Sequence, residues 1–495
     1  MTDTPAAAPP SDQKPSGEKT AAEKTAAEKQ AAAAISDFGI DTTSRSTGQS
    51  LRDYVDRVRG GELGSLPALF GLVVLLIVFA LASDTFLTLN NIANLLAQSA
   101  GVTIIAMGLV FVLLLGEIDL SAGTASGVAA AVMALHLVKN GNLLSGMGDT
   151  VFYAFVIGCL IAIAVSVWQR IWPGAVLSAV ALLMLVLGVP PNPWFEMGLA
   201  VCVGTVIGCL TGVLISKIGI PSFVVTLALF LAWGGVILKL IGDGGTLSIS
   251  NDSVLFGVAN NNLDIVGSWI LFLIFAGGYT LVVLLRHAGR VRRGLVAQPT
   301  TLILLKVGAV VVLSAVATYL LTLNRSPNPD RINISGVPYV VPIVLVLLVI
   351  GTFVLDRTKY GRHIYAVGGN AEAARRAGIN VPKIRMSVFV IASTVSAVGA
   401  IVYSSKVGSV DPNAGGGNTL LFAVGAAVIG GTSLFGGKGR LSNAIIGGLV
   451  IAIVSNGLGL LGQPAAVVSI VTGVVLLLAA SVDALSRRRA KATGH

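Results

Sequence analysis

Residues 441–482 run without a single charged side chain. About 20 apolar helical residues cross the hydrocarbon core of a bilayer, so this stretch holds two crossings, and GLGLLGQP at 457–464 supplies the break between them. The same pattern fills most of the 495 residues, of which 54% are hydrophobic and 11% charged, whereas a soluble domain carries roughly a quarter charged residues. A transmembrane β-barrel would instead alternate polar and apolar side chains in segments of about ten residues, and no such alternation is present. The fold class that follows is all-α: a polytopic transmembrane helical bundle with about 12–14 apolar segments.

The segments fall at about 66–82, 92–116, 119–138, 150–168, 174–189, 194–216, 220–241, 264–285, 300–323, 338–355, 386–405, 419–434, 442–461 and 465–483. Broken or re-entrant helices are expected where Gly and Pro interrupt them. Residues 1–60 differ in kind: EKTAAEKTAAEKQAAAA at 18–34 repeats helix formers with neighbouring opposite charges, as a semi-rigid spacer does. This segment reads as a cytoplasmic low-complexity tail without the apolar core of a cleavable signal. Residues 61–485 form the transmembrane domain and 486–495 a basic cytoplasmic C-terminal tail.

Cytoplasmic loops carry the excess of Lys and Arg. With both termini cytoplasmic, the inner stretches 52–59, 168–173, 217–219, 286–299, 356–385, 435–441 and the C-terminus hold 22 such residues, against Lys139, Lys239, Arg325, Arg331 and Lys406 outside. These cations border a membrane and lack any groove-reading or aromatic pattern, so the net charge of +10 is no sign of nucleic-acid binding. Gly204, Gly208 and Gly212 recur every fourth residue, which places them on one helix face and lets a neighbouring backbone approach closely.

Phosphate binding, metal or disulfide chemistry and catalysis each lack the residues they require. Six glycines surround Lys438 in GAAVIGGTSLFGGKGRL at 425–441, yet a phosphate-binding loop needs glycine five residues before Gly437 and Ser or Thr after the lysine; Thr432 and Gly439 stand there. Cys159, Cys202 and Cys209 lie inside apolar segments, and His136, His287, His363 and His495 are scattered, so neither a metal site nor a disulfide framework is expected. No catalytic cluster and no cofactor motif is found. Ionisable residues within the membrane domain are rare and informative: Glu117 and Asp119 sit between two apolar segments in LLLGEIDLSAGTASG at 113–127, where Asp119 either caps a helix beginning at Leu120 or lines a polar passage.

GEIDLSAG at 116–123 aligns weakly with GGTSLFGG at 430–437, sharing Gly, Leu and Gly at equal offsets, the trace an internal repeat would leave. The longest inner loop, 358–385, contains GGNAEAARRAGI. There Asn370 can cap a short helix through Glu372, Ala373, Ala374, Arg375 and Arg376, and Gly378 can end it. Such a capped helix outside the membrane is a docking element.

In this order, GEIDLSAG, GRHIYAVGGNAEAARRAGI and AAVIGGTSLFGGKG strongly resemble the permease subunits of bacterial ABC importers for monosaccharides, the ribose and xylose permeases, over residues 66–485. The extra apolar pair around 264–323 looks like the xylose permeases, whereas the pair at 150–189 and the long N-terminal tail depart from the family pattern. The resemblance implies a permease of the bacterial cytoplasmic membrane, bathed in lipid and acting as a homodimer. A separate ATP-binding subunit would power it, and an extracytoplasmic binding protein would deliver the sugar, most simply D-xylose. It further implies an ATPase-coupling loop comprising Arg362, Gly368, Gly369, Asn370, Glu372, Ala373, Ala374, Arg375 and Gly378, and helix-break or path-lining motifs at Glu117, Asp119, Ser121, Thr432 and Ser433. The rival is an ion-gradient-driven sugar carrier, for which only Glu117, Asp119 and Glu196 are candidate coupling acids. The purified chain alone is expected neither to bind nor to hydrolyse ATP; nucleotide affinity in equilibrium dialysis that disappears in Lys438→Ala would restore the glycine-rich stretch as a phosphate site.

Overall fold

The computed structural model describes residues 64–242, 245–295 and 297–492, together with Gly48 and Arg52. The N-terminal tail therefore lies almost wholly outside the described residues. Residues 64–277 and 311–492 belong to one compact unit and residues 278–310 to another; within the latter, His287 Nε2 lies 3.0 Å from Thr300 Oγ1.

Among the described residues, nine helices are long and apolar enough to cross a membrane, and five more apolar helices are shorter. Together they reproduce the expected segments. The five shorter ones are Leu66–Ala82, Ala122–Val138, Trp172–Leu187, Gly417–Ile429 and the apolar part of the last helix, Ala465–Leu478. The break at 457–464 forms as composition suggests: the Leu441–Leu460 helix ends, Gly462 takes a φ of +66°, and Pro464 precedes the next helix. That last helix continues as backbone to Ala492, so the basic residues 487–489 extend a helix where a separate tail was expected. Three short helices were not anticipated as separate elements, Leu143–Met147, Ser253–Asn260 and Lys359–Gly369, whereas a fourth, Ala371–Arg376, is the capped helix expected in the loop 358–385.

The core of the larger unit is the Val381–Val407 helix. Asn380 opens it by accepting from the Lys383 N–H at 3.1 Å, Pro382 lies in its first turn, and Gly408 closes it at a φ of +80°. Small residues let two other helices press their backbones against it. On the Pro193–Val213 helix, a Cβ at Gly204 would sit 2.7 Å from the Ser393 carbonyl oxygen, one at Gly208 2.8 Å from that of Phe389, and one at Gly212 2.9 Å from that of Met386. The predicted glycine stripe is therefore the contact face. On the Leu89–Leu114 helix, a Cβ at Gly108 would lie 2.7 Å from the Ala392 carbonyl oxygen and one at Gly101 2.9 Å from Tyr403 Cβ.

Outer helices reverse this burial. Leu231 and Val224 on Ser222–Ile241, and Ile157 and Leu160 on Asp149–Trp168, are exposed, as expected of side chains that face lipid. One small sheet ties two loops together: Leu247–Ser248 pairs antiparallel with Ser409–Val410, Leu247 opposite Val410.

Gly208→Leu is expected to destabilise the fold by about 1–3 kcal/mol or more through overpacking, whereas Gly234, around which nothing lies within 4 Å, should accept Ala with unchanged or slightly raised stability. Thermal unfolding in detergent checks both; equal midpoints would contradict the packing described.

Candidate functional site

Four of the stretches assigned to the inner side, 168–173, 217–219, 356–385 and 435–441, lie at one end of the larger unit. The Lys217 ammonium lies 4.6 Å from the centre of the Trp168 ring. The Ile118 N–H donates to Ser222 Oγ at 3.4 Å, and Thr226 Oγ1 donates to the Ile118 carbonyl at 3.2 Å. The last carbonyls of a helix need partners beyond it, and the Leu89–Leu114 helix finds one in the glycine-rich stretch: the Gly437 N–H donates to the Leu114 carbonyl at 2.9 Å. The chain then leaves that helix through Gly116, at a φ of +75°. A Cβ on Gly116 would lie 3.2 Å from the Phe435 carbonyl oxygen. GEIDLSAG and GGTSLFGG, matched in sequence, thus pack face to face.

Against this pair lies the Lys359–Gly369 helix. Thr358 caps it, accepting from the Gly361 N–H at 3.1 Å. Its apolar side chains Ile364 and Val367 are buried among Leu113, Leu114 and Phe389. Three ties fix its position. Tyr365 donates to the Gly439 carbonyl at 3.0 Å, the Tyr360 hydroxyl lies 2.7 Å from Ser387 Oγ, and Gly368 sits so close to the Leu114 carbonyl that no Cβ fits between them.

At Asn370 the chain turns into the Ala371–Arg376 helix, capped as the sequence suggests: Asn370 Oδ1 accepts from the Ala373 N–H at 2.9 Å, and Gly378 ends the turn at a φ of +83°. Arg375 reaches both oxygens of Glu372, at 3.0 and 2.9 Å, and Arg376 adds a bond at 3.2 Å. These guanidiniums, Arg375 foremost, hold the Glu372 carboxyl below its ordinary range. Arg362, Gly369, Asn370, Glu372, Ala373, Arg375 and Gly378 are all exposed and form a polar surface, while Ala374 turns inward to anchor it.

The acids are less free than their rarity suggests. Glu117 Oε1 lies 2.9 Å from Arg385 Nε in the first turn of the central helix, an ion pair whose N–H is not aligned for a hydrogen bond. Sequence reasoning missed this partner because the two residues are far apart in the chain. Asp119 is buried, and its Oδ1 accepts from the Ser121 N–H at 2.9 Å and hydroxyl at 2.7 Å; the helix begins at Ala122, not Leu120. Thr432 is buried with its Oγ1 3.4 Å from Asn443 Nδ2, and the Ser433 N–H donates to the Lys438 carbonyl at 2.9 Å, closing the glycine-rich turn. Glu196 stands elsewhere, fully buried: Oε1 is 3.0 Å from His136 Nδ1 and Oε2 accepts from the Asn192 N–H at 2.9 Å. Among the described residues no group of three His, Cys, Asp or Glu forms a metal site.

A family profile described as branched-chain amino acid transport system / permease component matches residues 174–480. The xylose transport system permease protein XylH of Escherichia coli K12 is 31% identical over 422 residues, covering 84% of this chain and 91% of that protein. Its counterpart in Haemophilus influenzae is 29% identical over 85% of this chain and 96% of its own length. The ribose import permease protein RbsC of E. coli K12 is 27% identical over 84% and 92%. The chain belongs to the ribose/xylose-type family of ABC-importer permeases. It is a multi-pass membrane transport subunit and not itself an enzyme. No solved structure matches it.

The two adjacent glycines of the loop should behave oppositely. Gly368→Ala forces a Cβ into the Leu114 carbonyl and is expected to lower the unfolding midpoint, at a cost of about 1–3 kcal/mol. Gly369→Ala, with nothing within 4 Å, should leave it unchanged. Indistinguishable midpoints would show that Gly368 does not hold the loop against the Leu89–Leu114 helix.

Proposed function

We propose that the chain forms one half of a homodimeric membrane path that admits a neutral monosaccharide, D-xylose foremost, with both termini on the cytoplasmic side. As a permease of an ABC importer it works with a separate ATPase subunit and an extracytoplasmic sugar-binding protein. The observation that carries the reading is the exposed surface of residues 362–378, anchored at once to the feet of the Leu89–Leu114 and Val381–Val407 helices. A partner that pushes on this surface pushes on both helices. The joints are Tyr360 with Ser387, Gly368 with Leu114, and Arg385 with Glu117. Glu117, Asp119, Ser121, Thr432 and Ser433 serve in this account as the parts that keep the helix breaks rigid.

D-Xylose is favoured by the likeness to XylH over 84% of the chain. The cytoplasmic orientation of the loop is supported by its lying at the same end of the larger unit as the Lys- and Arg-bearing stretches 168–173, 217–219 and 435–441. A gradient-driven carrier, by contrast, would need titrating acids available to an ion, whereas Glu117 is occupied by Arg385 and Glu196 by His136 and Asn192; Asp119, held by Ser121 through Oδ1 alone, is the one acid left to such a carrier.

The double change Glu372→Arg with Arg375→Glu keeps the internal ion pair while exchanging the charges it presents. In cells carrying the whole importer it is expected to cut labelled D-xylose uptake at least tenfold with normal amounts of permease in the membrane, because surface substitutions seldom move stability beyond about 0.5 kcal/mol. With ATP held constant, a protonophore should leave uptake by the unchanged protein intact. Full uptake by the double variant would free this surface of the coupling role, collapse of uptake with the protonophore would favour a gradient-driven carrier, and leucine uptake in place of xylose would move the substrate to amino acids.

A further inference from the structure

At the other end of the same helices is a cavity of about 350 Å³, between the Leu89–Leu114, Val381–Val407, Gly417–Ile429 and Leu441–Leu460 helices. That volume lies within the roughly 300–1,000 Å³ typical of small-molecule pockets. Its polar wall is made by Gln98, Tyr403, Lys406, Asn418, Thr419 and Ser455. We infer that this cavity is the site where the permease receives the monosaccharide, a deepening of the function proposed above and resting on it.

Polar side chains on membrane helices are costly and are kept where they do something. Gln98 and Asn418 each present an amide that both donates and accepts, and Tyr403, Thr419 and Ser455 present hydroxyls that do the same. This is the complement of a ring of sugar hydroxyls. Phe422 adds an aromatic side chain to the wall, suited to the C–H face of a sugar ring. Among the lining residues Lys406 is the one charge, and its ammonium lies 3.4 Å from Asn260 Oδ1. No carboxylate faces the cavity to meet an ammonium group, which favours a neutral polyol over an amino acid.

A second observation points to a ligand independently. Ser455 Oγ is buried with no hydrogen-bond partner among the described residues, although Ser455 lines the cavity. Buried hydroxyls are ordinarily paired, and a sugar hydroxyl would complete this one. A larger cleft of about 1070 Å³ is walled chiefly by residues such as Leu177, Val180, Met197, Val201 and Ile343, which suit an acyl chain and not a polyol.

Position along the helices agrees. At 1.5 Å per residue, Gln98 stands about 24 Å from Leu114, Tyr403 about 27 Å from Arg385, and Ser455 about 21 Å from Leu441. The hydrocarbon core is about 30 Å thick. With the coupling loop inside, the cavity therefore lies toward the outer face, where a binding protein would release its sugar.

The test uses the assembled importer in cells. Ser455→Phe fills the cavity, and Gln98→Leu with Asn418→Leu strips its amides; each is expected to slow the initial uptake of labelled D-xylose, and of D-ribose where it is carried, at least tenfold at equal permease in the membrane. If Ser455→Phe fails to reach the membrane, the double leucine variant and Gln98→Cys decide. Cys159, Cys202 and Cys209 are buried whereas Gln98 is exposed at the cavity, so a membrane-impermeant maleimide should label Gln98→Cys selectively, and xylose-loaded binding protein should slow that labelling severalfold. Full-rate uptake by the cavity variants, or labelling indifferent to sugar, overturns the site while leaving the transport function standing. Failure of the unaltered importer to move any monosaccharide overturns both.

Discussion

Backbone-to-backbone packing on the Val381–Val407 helix is the constraint from which the rest of the molecule follows. Gly204, Gly208 and Gly212 on one neighbour and Gly101 and Gly108 on another bring their helices so near that a Cβ would meet a carbonyl oxygen or a side-chain carbon at 2.6–2.9 Å. In a membrane the hydrophobic effect does not drive helices together, so close van der Waals packing through small residues takes its place. The consequence is mechanical. Three helices pressed together along much of their length move as a body or not at all, and a displacement at one end reaches the other.

The proposed function is distributed along that body. At one end, Tyr360 and Gly368 lock the Lys359–Gly369 helix to the feet of the central and Leu89–Leu114 helices, the Arg385–Glu117 ion pair ties the central helix to the turn after Leu114, and the Asn370-capped turn offers a charged, exposed face. At the other, Gln98, Tyr403 and Ser455 open onto a polar cavity. Neither end does covalent chemistry. Alternating access needs only that tilting the central helix at Arg385 should widen or close the space beside Tyr403, some 27 Å away at 1.5 Å per residue.

Much of this was legible in the sequence, for physical reasons that can be named. Apolar length located the helices because a bilayer fixes how long a crossing must be. Asn370 and Gly378 marked the ends of the short Ala371–Arg376 helix because capping and left-handed termination are local demands met by few residue types, and both act as expected. The four-residue glycine spacing announced a close contact, though not its partner. What stayed hidden was long-range. Glu117 could be placed between two apolar segments but not paired, because its partner, Arg385, lies far along the chain. Thr432 and Ser433 read as either path lining or a helix break, and the contacts they make with Asn443 and Lys438 at the turn were not readable from the sequence. The cavity was invisible, since Gln98, Asn418 and Ser455 sit singly on three different helices and form a pattern only when those helices are packed.

Transmission along the central helix can be measured directly. Tyr403→Cys, introduced beside the cavity, can be labelled from outside with an impermeant maleimide in the assembled importer, with and without ATP. Labelling should change severalfold with ATP when the coupling surface is intact and become insensitive to ATP once Glu372 and Arg375 are exchanged. An ATP-dependent change that persists undiminished with the exchanged surface would show that the work enters the membrane by another route.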